Sequence, residues 1–97
     1  MDLLTTELSV FLEKMHAHPD LVSEKVEHYM EHFLYLLPDK EMHLILSYYG
    51  LFDVAQKSAD ELADQEKTAK EQLQKRIEHD LRRLAVAPEW EIIKRMI

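Results

Sequence analysis

Apolar positions recur along this chain with the spacing of helices. Leu4, Leu8, Phe11, Leu12 and Met15 form a stripe with steps of four, three, one and three, which predicts a first amphipathic helix. Proline disfavours helical backbone in the residue before it, so this helix should stop near His18 and Pro19. A second helix is expected to begin with Asp20 as its N-cap and to bury Val22, Val26, Tyr29, Met30, Phe33 and Leu37. Pro38 suits the first turn of a third helix, through Met42, Leu44, Ile45 and Tyr48, because its missing N–H removes a donor that would be unpaired anyway. Gly50 should close that helix in a left-handed conformation, with residues 51–57 as a connector.

Two capping boxes follow, ten positions apart. Ser58 with Glu61, and Thr68 with Glu71, each offer a hydroxyl to the third helical N–H and a carboxylate back to the cap. Two starts so close predict a short helix, a tight turn near Glu66 and Lys67, and a longer helix carrying Leu73, Ile77, Leu81 and Leu84 inward. The competing reading is one unbroken helix over residues 59–85. Pro88 can open a last helix that packs Trp90, Ile93 and Ile97 against the body. No segment alternates with period two, so the expectation is an all-α single domain of five to six helices. Residues 1–36 form an acidic two-helix extension, residues 37–85 a helix-turn-helix and residues 88–97 a terminal helix.

Composition narrows the function classes. With no cysteine among 97 residues, thiolate zinc sites, iron–sulfur clusters and cysteine nucleophiles are excluded. A single glycine leaves no phosphate-cradling loop. No run of eighteen apolar residues predicts a membrane span, and no basic-then-apolar leader opens the chain, so a cytoplasmic protein without a membrane partner is expected. No serine–histidine–acid or paired-carboxylate arrangement stands out, which points away from an enzyme, and no cofactor is called for. The net charge is −7, but unevenly spread: residues 1–65 hold 13 acids and 4 bases (−9), residues 66–97 hold 6 acids and 8 bases (+2). That distribution moves any nucleic-acid surface to the C-terminal third.

Residues 37–84 resemble region four of bacterial RNA polymerase sigma factors. The opening Leu37, Pro38, Asp39, Lys40 and Glu41, the aliphatics Leu44 and Ile45, and the closing Tyr49, Gly50 and Leu51 follow that family's leucine, proline, charged pair, aliphatics, aromatic, glycine and leucine. Ser58, Asp60, Glu61 and Leu62 then stand at its threonine, two acids and aliphatic. Lys70, Glu71, Gln72 and Leu73 stand at its arginine, glutamate, arginine and isoleucine, and Leu81, Arg82, Arg83 and Leu84 match its leucine, two basics and leucine. The resemblance implies a helix-turn-helix whose second helix enters the major groove of promoter DNA, and a second surface for RNA polymerase. Carried over, Lys70, Glu71, Gln72, Gln74 and Lys75 contact bases and phosphates, and Ser58 contacts a phosphate at a helix start. Lys67 and Thr68 replace the family's glycine and aliphatic at the turn, and Tyr48 and the two glutamines replace arginines.

Other patterns carry a sharp and a bland reading. His28, Glu31 and His32 match an inverted zinc-protease motif with Glu24 as a further ligand, but a polar helix face rich in Glu and His produces that spacing by chance. Tyr29, Phe33, Tyr48, Tyr49, Phe52 and Trp90 form either a partner groove or, as helical spacing favours, core. Lys67, Lys70, Lys75, Arg76, Arg82 and Arg83 form either a phosphate-binding face or an ion-paired solvated one. The alternative to DNA binding is a protein-interaction module that binds RNA polymerase or a regulator. A last expectation follows from −9 beside +2, that the acidic extension folds over the recognition helix.

Overall fold

A computed structural model describes residues 1–97. Six α-helices are present and no strand: α1 Leu3–Ala17, α2 Glu24–Leu34, α3 Asp39–Tyr49, α4 Ala59–Glu66, α5 Lys70–Ala85 and α6 Pro88–Lys94, with a 3-10 turn at Pro19–Leu21. The all-α expectation is met. A cluster of 23 buried apolar side chains draws from every helix, so the acidic N-terminal segment is part of the same core as the rest.

Helix α5 is the centre of the arrangement. Its Leu73, Ile77, Leu81 and Leu84 are buried, and α1, α3 and α4 all pack on it. Helix α6 packs instead on α2. There Trp90 stacks on Phe33 (ring centroids 6.1 Å) and tilts against Phe11 at 5.9 Å, joining α1, α2 and α6 through one aromatic cluster.

Helix ends explain where expectation and structure part. Asp20 is not the α2 cap. It sits in the 3-10 turn, closed by the Val22 N–H on the Pro19 carbonyl at 3.2 Å, and the chain runs extended at Val22 before Ser23 accepts from the Val26 N–H at 3.2 Å. Pro38 lies one residue outside α3, at its N-cap. The break between α4 and α5 is real, but Thr68 does not cap α5. Its N–H donates instead to the Ala63 carbonyl, 3.0 Å, which finishes α4. Helix α5 therefore starts one residue later from Ala69, with no side-chain cap, and Glu71 falls at the second helical position, out of reach of a capping box. Tyr29 is 44% exposed and Ile97 57% exposed, so neither is a core residue.

Two turns share one backbone solution. Gly50 (φ 69°) ends α3 with the Leu51 N–H on the Leu46 carbonyl, 3.1 Å; Lys67 (φ 55°) ends α4 with the equivalent bond from Thr68 to Ala63. Glycine adopts that conformation freely, and lysine at a cost of about 1 kcal/mol.

Candidate nucleic-acid interface

The first two turns of α5 present Lys70, Glu71, Gln72, Gln74 and Lys75 outward, all exposed, while Leu73 between them is fully buried. This division follows from α5's apolar stripe, which turns toward α1, α3 and α4 and leaves the polar stripe to solvent. Ser58, at the start of α4, is also exposed. Ser58, Lys70 and Gln74 meet along one groove of about 480 Å³ together with Lys57, Tyr48 and Glu13. Glu71, Gln72 and Lys75 lie outside that groove.

The geometry constrains what Ser58 can do. The capping box is formed: Ser58 Oγ accepts from the Glu61 N–H at 3.1 Å, and Glu61 Oε1 accepts from the Ser58 N–H and hydroxyl, both at 3.3 Å. A phosphate at this helix start therefore has to displace the Glu61 carboxylate. Lys70 is held less firmly, with Nζ 3.6 Å from Asp60 Oδ1 in an exposed pair of the kind worth under about 1 kcal/mol. Lys67 and Lys75 make no ion pair.

Arg76 does not belong to a phosphate-binding face. Its Nε and Nη2 donate to Glu41 Oε1 and Oε2 at 3.2 and 2.6 Å, and Nη1 donates to Glu66 at 2.9 Å, tying α5 to α3 and α4. These bonds raise the Arg76 pKa and hold the Glu41 carboxyl below its ordinary range. Beside them Asp80 is only 1% exposed, with Oδ2 lacking a hydrogen-bond partner. Burial first, and then the Glu41 charge, push its pKa up to about 6; with a proton on, its carboxyl donates toward Glu41. The sequence pattern offers Arg76 as one cation of a phosphate-binding or an ion-paired solvated face, and Asp80 only as one of the acids interleaved with it. The available signal was position: Asp80 lies seven residues after Leu73, on the helix face that Ile77, Leu81 and Leu84 occupy.

Opposite charges from the acidic segment do meet the basic third, but along its far end. Arg82 Nε is 3.5 Å from Asp2, Lys94 Nζ is 3.0 Å from Glu7, and the N-terminal amine is 3.8 Å from Glu78. Residues 1–36 thus leave residues 70–72, 74 and 75 exposed, although Glu13 of α1 lines the groove that holds Lys70 and Gln74. Nor is a zinc site assembled on α2. His28 and His32 stand edge-on with ring centroids 4.5 Å apart, and no third acid or histidine joins them in ligating geometry. Of the aromatic set, Phe33, Tyr49 and Trp90 are core, Tyr48 and Phe52 half-buried and Tyr29 exposed. No helix is long and apolar enough to cross a membrane. No protein-family model, curated protein or solved structure matches the chain, so the likeness to sigma region four rests on its own residues.

Proposed function

We propose that this chain is a transcription-related, cytoplasmic helix-turn-helix protein, similar to sigma factor region four, in which α4 and α5 address promoter DNA. It acts by binding rather than catalysis and needs no cofactor. The observation that carries the reading is the exposed polar face of α5's first two turns, set just after the left-handed turn at Lys67. In the major groove Glu71 would accept from cytosine N4, and Gln72 and Gln74 would pair with adenine N6 and N7. Lys70 and Lys75 would meet phosphates, which position the helix without reading sequence. Fluorescence anisotropy with a random-sequence duplex tests this directly. Binding at low salt that weakens as salt rises is expected, and no binding at 20 mM salt overturns it.

A second reading, a module that binds RNA polymerase or a regulator, draws on a different surface. Tyr29, Leu36 and Ile92 are each about half exposed and line a mostly apolar groove between α2 and α6. Exposed apolar residues gathered in this way favour a protein partner. Capture of core RNA polymerase by the purified chain, lost on Ile92→Glu, supports it; equal capture by that variant excludes this groove.

A further inference from the structure

One cavity of the protein shares no residue with the α4–α5 surface. It holds about 610 Å³ between the end of α1, the outer side of α2, and the end of α3 with the loop after it. That volume falls within the range of small-molecule sites. Met15, Leu34 and Leu46 supply an apolar floor, and all three are buried core residues. Tyr35 and Phe52 bring two aromatic rings to the same cavity.

The charge around it has one sign. Glu27, Glu31 and Asp53 line the cavity, and none of the three forms an ion pair. No lysine or arginine lines it. The only basic side chain there is His16, whose Nδ1 donates to the Gly50 carbonyl at 2.9 Å. An apolar floor, two aromatic rings and three unpaired carboxylates are together the complement of an organic cation: the body buries apolar surface, the rings attract positive charge, and the carboxylates offset it.

We propose that this cavity binds a small organic cation, an apolar body carrying one amine or guanidinium head. The proposal stands independently of DNA binding. A full-chain ¹H–¹⁵N titration with 4-phenylbutylamine, using the neutral 4-phenylbutanol as control, tests it. The amine is expected to shift Tyr35, Leu46 and Asp53 amides saturably with a Kd of about 1 mM, as befits a ligand of this size. The alcohol should bind at least about tenfold more weakly, since it gains neither the cation–π nor the ionic contribution. The combined variant Glu27→Gln, Glu31→Gln, Asp53→Asn should weaken amine binding about tenfold and leave alcohol binding unchanged. Asparagine tolerates the left-handed backbone of Asp53 (φ 66°), so that substitution removes charge without straining the loop. Equal affinity for amine and alcohol overturns the proposal, as do shifts scattered over the acidic surface or an unaltered affinity in the variant.

Discussion

Arg76 and Glu41 meet side-on through two parallel hydrogen bonds, 3.2 and 2.6 Å, that lock the centre of α5 to the start of α3. A planar guanidinium matches a carboxylate in this way, and a lysine could not reproduce it. Arg76→Ala leaves Glu41 and Glu66 facing each other and Asp80 without their cation. Removing one partner of a fully buried pair costs about 3–5 kcal/mol. Arg76 is 32% exposed, so about 2–3 kcal/mol is the expected loss, read as a lower urea midpoint. A change under about 0.5 kcal/mol would show that the network is only surface decoration.

Asp80 gives the fold a pH signature. Its folded pKa of about 6 lies above the ordinary 3.8, so between those values the folded state holds the proton more tightly than the unfolded chain. Its contribution to stability is therefore fully present below about pH 4 and lost as pH rises through about 6, a change of about 3 kcal/mol at most. Glu41 works in the opposite sense, because its lowered pKa adds stability above its ordinary 4.5 that fades as pH falls. Asp80→Asn isolates the first effect. The variant should match the parent near pH 4 and exceed it by about 1–3 kcal/mol at pH 7 in urea melts. A gain that did not grow with pH would contradict the assignment.

Gly50 and Lys67 share a backbone conformation and should respond to substitution with opposite signs. A methyl group on Gly50 would lie 2.7 Å from His16 Nδ1 and 2.8 Å from Gln56 Cβ, in addition to straining the left-handed backbone. Gly50→Ala should cost about 2 kcal/mol. Lys67→Gly relieves strain of about 1 kcal/mol at the α4–α5 turn and should gain about 0.5 kcal/mol once the greater freedom glycine gives the unfolded chain is subtracted. Thermal melts of the two variants decide both signs, and destabilisation by Lys67→Gly would mean that the lysine side chain contributes a contact of its own.

On the proposed DNA reading, Asp60 would compete with a phosphate for Lys70. The pair at 3.6 Å is exposed and weak, and it neutralises a cation that a phosphate would otherwise use. Asp60→Asn should tighten duplex binding about two- to fivefold at low salt and converge with the parent at high salt, measured by anisotropy. Equal affinity throughout would place Lys70 away from the phosphates.

Much of the architecture was legible because helix periodicity and Gly/Pro punctuation are local. The stripe ending at Met15, the stop before Pro19, the glycine at the end of α3 and the capped start at Ser58 all depend on neighbours a few residues away. The α2 and α5 starts fall away from the expected caps, α2 at Ser23, an equally good cap, and α5 at Ala69, which has no capping side chain. Asp20 and Thr68 have capping side chains, but Asp20 lies inside the 3-10 turn and the Thr68 N–H is already committed to closing α4. What stayed hidden was long-range. Arg76 reaches Glu41 across 35 residues, a pairing that no helical period records, and it reads in sequence as one more cation on a basic helix. The outward face at residues 70–75 is legible through periodicity, whereas its exposure beside the acidic segment depends on α1 packing on α5's apolar side.

The proposed DNA reading makes Lys70 and Lys75 phosphate contacts of α5. The most direct measurement is the slope of log affinity against log salt for duplex DNA, compared between the parent and the Lys70→Ala, Lys75→Ala double variant, with helicity checked by circular dichroism. Each lost contact should reduce the slope by about 0.9, so the variant's slope should be shallower by about 2. An unchanged slope in a folded variant would contradict the assignment of α5's first two turns to DNA.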